Sequence, residues 1–243
     1  MNPNGTTLIY ATYLGGTAND LPHSMVCNED NELYVFGSTR SINYPVADDA
    51  FDSSGPEGGV AEDIIVTHLN NTGTAIIGST FVGGSGIDGL NNLTSNYGDQ
   101  YRGEIVVDSD GNCYISSCSG STDFPTTPGA YQETYGGGDR DIVVFSMPPN
   151  LETMNWATYI GSTMGEAGLG LRLDNEDNVY ISGVASNEFM AMTGYQTTYQ
   201  GGDRDAFIIR LIDNGSTISA SSYWGTTARD AAFFIDLDVD GNV

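Results

Sequence analysis

Tyr13-Leu14-Gly15-Gly16 is the stretch from which the rest of the chain is read, because the line returns three times: as Phe81-Val82-Gly83-Gly84, Tyr159-Ile160-Gly161-Ser162 and Tyr223-Trp224-Gly225-Thr226. The first glycines are 68, 78 and 64 residues apart. Five residues after each of them comes an acid: Asp20, Asp88, Glu166 and Asp230. A polar turn followed by a tyrosine comes next, Asp30 to Tyr34, Asp110 to Tyr114 and Glu176 to Tyr180, delayed by a 12-residue insertion in the second copy. Each copy then reaches an Asp that opens an apolar run, at Asp63, Asp141 and Asp205, and from there the next glycine is always 20 residues away. Self-similarity at this period marks a repeat architecture.

The frame of each copy reads as four short strands. Glu104 to Val107, Cys113 to Ser117, Ile142 to Ser146 and Asn155 to Tyr159 are rich in β-branched and aromatic residues and are bounded by Gly, Asn, Asp and Pro. Asp110-Gly111-Asn112 is a hairpin signal between the first two, and Asn70 to Gly73 and Asp213 to Ser216 are turn sequences between the last two. Four antiparallel strands per repeat predict an all-β chain, a β-propeller of four-stranded blades. The expected boundaries are 1–14 for the end of a partial blade, 15–82, 83–160 and 161–224 for three complete blades, and 225–243 for the start of another. Three blades do not close a ring of the usual four to eight, so the sequence is expected to be a segment of a larger propeller.

These residues resemble the SBBP-type bacterial β-propeller repeat. The likeness is carried by Tyr13 to Gly16, by Asp108 to Tyr114, by Gly37 to Thr39 with Tyr44 and Pro45, by Ser119 to Thr122 with Phe124 and Pro125, and by Gly137, Gly138 and Asp141. The third copy departs from it, with Met190 after Phe189 where proline is expected. The resemblance implies a large secreted or cell-surface bacterial protein without an established common activity.

Composition excludes several roles. Thirty-two acids face 7 basic residues, all arginine, for a net charge of -25, which argues against nucleic acid and anionic membranes as partners. With 39% hydrophobic residues the chain has material for a core, and 32 glycines with only 16% charged residues favour turns over long helices. No run approaches the ~18 apolar residues of a membrane span. Cys27, Cys113 and Cys118 lack metal-site or disulfide spacing and read as buried free thiols. Cys113 and Cys118, five apart, belong on opposite faces of a strand.

In an up-down meander the connections after strands two and four leave one face, and both elastic connections fall there. That face is the expected recognition surface. The insertion offers Asn91, Asn92, Tyr97, Gln100 and Tyr101, residue types suited to a glycan or protein ligand. Asp20, Asp88, Glu166 and Asp230 lie on the same face near the expected axis, where a carboxylate ring is a candidate Ca²⁺ site, the alternative being that each acid accepts main-chain N–H groups. Asp63, Asp141 and Asp205 read as structural hydrogen-bond acceptors. Asp108, Asp110 and Asn112, and Asp238, Asp240 and Asn242, resemble the start of a Ca²⁺ loop, but a strand follows at once and the hairpin reading is preferred.

For catalysis the signal is thin. His23 is read as a loop residue and His68, aligned with Ser146 and Arg210, as an exposed strand residue; no nucleophile elbow, zinc motif or phosphate loop is present. Arg140 and Arg204, each between two aspartates, read as local ion pairs, and the glycosylation sequons at Asn4, Asn70, Asn92 and Asn214 are mostly turns. The expectation is a non-catalytic scaffold or adhesion module without a cofactor other than a candidate Ca²⁺. It would work outside the cell or on its surface, alongside other domains of the same protein. The alternative is a propeller-fold polysaccharide lyase or hydrolase whose site lies elsewhere.

Overall fold

In the computed structural model, residues 4–56, 61–91, 99–190 and 192–243 are described. Among the described residues, twelve strands form three four-stranded antiparallel sheets, each in sequence order. Sheet 1 holds β1 (Asp20–Cys27), β2 (Leu33–Thr39), β3 (Asp63–Leu69) and β4 (Ile76–Val82). Sheet 2 holds β5 (Glu104–Val107), β6 (Cys113–Ser119), β7 (Asp141–Met147) and β8 (Trp156–Ile160). Sheet 3 holds β9 (Ala167–Leu173), β10 (Val179–Ala185), β11 (Asp205–Ile212) and β12 (Thr217–Trp224). The helical content of the described residues is one 3-10 turn, Asp99–Tyr101, and no helix among them is long and apolar enough to cross a membrane.

The first hairpin of each sheet is set by one acceptor side chain. Asp108 Oδ1 accepts the N–H groups of Asp110 and Asn112 at 2.9 and 2.8 Å, and its Oδ2 takes Asn112 Nδ2 and the Tyr114 hydroxyl. That turn needs one residue with positive φ, filled by Gly111 at +84° and in the other copies by Asn31, Asp177 and Gly241 at 60, 59 and 78°. Short polar residues and glycine are the types that tolerate it. With the Asp108 oxygens occupied by the turn's own donors, this segment is a hairpin. Residues 225–243 carry no assigned strand but close the same turn, Asp238 N–H reaching Asn242 O at 2.9 Å.

The middle sheet is buried on both faces, which is why β6 and β7 read as continuous apolar runs rather than alternating ones. Cys113, Ile115, Val143, Phe145 and Tyr159 pack against Tyr34, Phe36, Ile64 and Val66 of sheet 1. The alternate residues Tyr114, Ile142, Val144 and Trp156 pack against Leu171, Ile181, Phe207 and Ile209 of sheet 3. Cys113 belongs to the first core and Cys118 to a small cluster with Ala167, Leu169 and Val184, so their five-residue spacing does separate them by face. Both thiols are pushed up to about 12 by burial. Cys27 corrects the expectation: it is exposed, at the end of β1. Successive sheets also meet at their first strands, β5 touching both β1 and β9.

The connections after the second strands do not stay on one face. Each folds back along the outermost strand of its own sheet: Ala47 N–H to Ser79 O, Thr127 N–H to Ala157 O and Gly194 N–H to Ser221 O, with Tyr159 and Tyr223 returning bonds to Gln132 O and Gln196 O. The physical reason is the sheet edge, whose unpaired N–H and C=O groups the strap satisfies. The first two straps then reach across to the far end of the next sheet, where Phe51 N–H meets Leu151 O at 3.1 Å and Tyr131 N–H meets Gly215 O at 2.9 Å. The two elastic connections therefore do not share one face as expected, since those after the second strands run along the sheet edges.

Candidate functional site

The repeated acids and the insertion lie together at the end of the sheets where the fourth strands finish. Asp88 is fully buried. Its Oδ2 accepts the N–H of Gly84 at 2.8 Å and the Ser121 hydroxyl at 2.7 Å, and its Oδ1 accepts the Ser119 hydroxyl. Asp20 repeats this with Gly16 N–H at 2.8 Å, Thr39 and Ser41. Glu166 is one methylene longer, and the partners shift to match: Ser162 N–H stays, at 2.9 Å, while Ala185 replaces the strand-end hydroxyl and Ser186, one residue on, donates at 2.7 Å. Asp230 accepts Thr226 N–H at 2.7 Å and the Thr226 hydroxyl. Each carboxylate thus caps the turn four residues before it. No group of three or more His, Cys, Asp or Glu around a common metal position occurs among the described residues.

The acids that open the third strands are not a separate set. An atom built as Cβ on Gly83 would lie 2.6 Å from Asp63 Oδ1 and 2.9 Å from Asp88 Oδ2, so this glycine is the gap through which two carboxyl groups approach. Gly161 and Gly225 are pressed in the same way by Asp141 and Asp205. Asp141 Oδ2 accepts Gly136 N–H and Asp205 Oδ2 accepts Gln200 N–H, both at 2.6 Å. Burial pushes Asp141 up to about 7, with the charge of Glu166 adding to it. Asp205 and Asp88 are raised too, chiefly by burial.

Beside this acid pair is a polar cluster that the sequence does not reveal. His23 stands in β1 at an irregularity between Pro22 and Ser24, not in a loop. Its Nε2 lies 3.1 Å from Ser38 Oγ, which donates to Glu62 Oε1 at 2.6 Å, and Arg40 Nε meets Glu62 Oε2 at 3.0 Å. The ring sits edge-on to Phe36, centroids 5.1 Å apart, and 5.9 Å from Tyr101. Burial pushes its pKa down to about 4, so it is neutral at ordinary pH. The one signal for it is charge at a fixed place: Glu62 stands where the other copies have Arg140 and Arg204.

The insertion begins and ends tied down. Gly89 N–H bonds Cys118 O at 2.8 Å and Asn91 N–H bonds Gln100 O at 3.0 Å, forming a neck. Asn91 is fully buried, Gln100 is exposed, and Tyr101 is half-buried against His23. Asn92 and Tyr97 lie outside the described residues. Three further expectations are corrected. His68 is buried, stacked on Tyr34 at 3.8 Å, with Nδ1 2.9 Å from Pro149 O and Nε2 3.1 Å from Glu32. Arg140 donates to the main-chain carbonyls of Leu90 and Asp139, and Arg204 to that of Asp203, instead of serving the flanking carboxylates.

The chain matches no model of a known protein family, and no curated protein matches it.

Proposed function

We propose that this chain is a scaffold segment of a β-propeller of the SBBP-like kind, part of a large secreted or cell-surface bacterial protein. In this reading it binds a protein or glycan through the insertion between Asp88 and Glu104. The ring reading is supported by three like sheets packed face to face with their first strands adjoining. The observation that carries the functional reading is the contrast between joint and insertion. At each joint the acids are consumed by main-chain N–H groups and hydroxyls, whereas the two ends of the insertion are held together by the main-chain bonds of Gly89 to Cys118 and of Asn91 to Gln100. Tying the two ends of an insertion to the frame lowers the entropic cost of using it for recognition. The net charge of -25 suits a protein working in salty extracellular water.

The test is binding to a glycan array and to host cells by this chain and by a variant with residues 92–98 replaced by Gly and Ser of equal length. Loss of binding with an unchanged melting temperature is the expected result. Equal binding by both overturns the role of the loop.

A further inference from the structure

A cleft of about 680 Å³ lies at the outer end of sheet 3 between Tyr195, Gln196, Gln200, Trp224, Thr226 and Asp230. Its Tyr195 and Trp224 rings, 5.8 Å apart and strongly exposed, look like a platform for a sugar. Comparison with the other two sheets points elsewhere. Trp224 precedes Gly225 as Val82 precedes Gly83 and Ile160 precedes Gly161, and those two side chains are 0% exposed beneath the following sheet while Trp224 is 60% exposed.

At or beside the cleft, three hydrogen-bonding groups lack, among the described residues, partners that their counterparts have. Thr17 N–H and Ser85 N–H bond Asn43 and Asp123 at 3.0 and 2.8 Å, and the Thr163 hydroxyl bonds Glu188 at 2.6 Å; among the described residues Thr227 has no such acceptor. Asp20, Asp88 and Glu166 take hydroxyls from just beyond or at the end of a second strand, whereas Asp230, among the described residues, takes the Thr226 hydroxyl and N–H instead. Phe51 and Tyr131 give their N–H to a turn carbonyl of the following sheet, and Tyr195 stands at the same place in its strap with no such acceptor among the described residues.

We infer that this cleft is an open joint whose occupant is a further four-stranded sheet of the same repeat, and not a small-ligand pocket. The occupant is specified by chemistry. It supplies a Ser or Thr to Asp230, an Asn, Asp or Glu to Thr227, and a carbonyl from its last turn to Tyr195, and it buries Trp224. Residues 233–235 already lie where its first strand belongs, Phe233 packing on Ala167, Leu169 and Val184 as sheet 3's neighbour. The inference rests on the ring reading for the identity of the occupant.

The experiment extends the chain after Val243 with a second copy of residues 114–160. Val243 follows its turn as Cys113 does, so this addition completes one sheet carrying copies of Ser119, Ser121, Asp123 and Leu151. Hydrogen exchange is compared in the 243-residue and extended chains. The expected result is at least tenfold slower exchange of the Tyr195 and Thr227 amides in the extended chain. Asp123→Ala in the added copy should return Thr227, but not Tyr195, to fast exchange. Unchanged exchange at both amides, with the added segment folded or unfolded, overturns the inference. So does quenching of Trp224 fluorescence in the 243-residue chain by neutral hexose oligosaccharides, abolished by Trp224→Ala. Slowed exchange together with no ligand binding by the insertion would leave the joint standing and remove only the recognition role.

Discussion

Gly78 of β4 lies directly beneath Leu151 of the following sheet: a Cβ at Gly78 would stand 2.4 Å from Asn150 O and 3.2 Å from Leu151 Cβ. The same contact occurs twice more with the sizes exchanged. Tyr10 covers Gly73, and Trp156 covers Gly215. Gly73, Leu151 and Gly215 all have positive φ, at 64, 56 and 78°, so Leu151 accepts an unfavourable backbone conformation and fills the space that Gly78 leaves.

This exchange predicts a compensating pair. Gly78→Trp alone should cost at least about 2 kcal/mol by overpacking. Leu151→Gly alone relieves the backbone but opens a void, for a net loss of about 1 kcal/mol. Together they rebuild the Trp156–Gly215 contact, and the double variant should be more stable than the sum of its parts by about 1 kcal/mol or more in urea unfolding. Additive losses would show that the contact is incidental.

A second exchange is expected at Glu166. Glu166→Asp shortens the carboxylate away from Ser186 and should cost about 1–2 kcal/mol. Ala185→Ser in the same chain restores the hydroxyl found at Ser119 beside Asp88 and should recover most of the loss. The check is a chemical-denaturation cycle over the four variants.

Much of this frame is legible in the sequence. The strands of sheet 2 follow from β-branched runs between turn residues, and the acids follow from their fixed distance to a glycine. The straps are not legible, because a segment that runs along an edge strand has no alternation to betray it. Their only sign is Gln132 and Gln196, each nine residues before Asp141 and Asp205; their Oε1 atoms accept the N–H of Gly161 and Gly225. Burial of His68 is hidden as well. Its counterparts Ser146 and Arg210 are polar, and nothing in one sequence says that Tyr34 stacks on the imidazole. The buried neck residue Asn91 reads as a surface group because asparagine in an insertion ordinarily faces water.

The contribution of Asp141 to stability should depend on pH in the direction opposite to that of an acid whose pKa is lowered by folding. Asp141 titrates at about 7 in the folded chain against an ordinary 3.8, so between those values the folded state holds a proton that the unfolded state has lost. Its contribution is present below about 4 and is lost as the pH rises toward 7. Asp88 and Asp205 are raised and act in the same sense. His23, depressed to about 4 by burial, acts in the opposite sense below about 6.5, so the quantity that isolates Asp141 is the difference between variant and parent. In urea unfolding from pH 4 to pH 8, Asp141→Asn should gain on the parent chain as the pH rises, most at pH 8.

The thiols offer a check on the packing of the sheets. Cys27 is exposed, while Cys113 and Cys118 are buried between sheets with thiols raised by burial. One thiol should react with an aromatic disulfide reagent in the native protein and three after unfolding. Native reaction of all three within the dead time would contradict the two-sided burial of sheet 2.

The most direct test concerns Asp88, since the scaffold reading requires that the repeated acids hold the joints together rather than await a substrate or an ion. The measurement is the unfolding free energy of Asp88→Ala against the parent chain at pH 7. Removing this carboxylate leaves Gly84 N–H and the Ser119 and Ser121 hydroxyls without their acceptor, and the predicted loss is about 3 kcal/mol. Unchanged or increased stability would contradict it, because residues kept for function rather than structure are the ones whose removal relieves a fold.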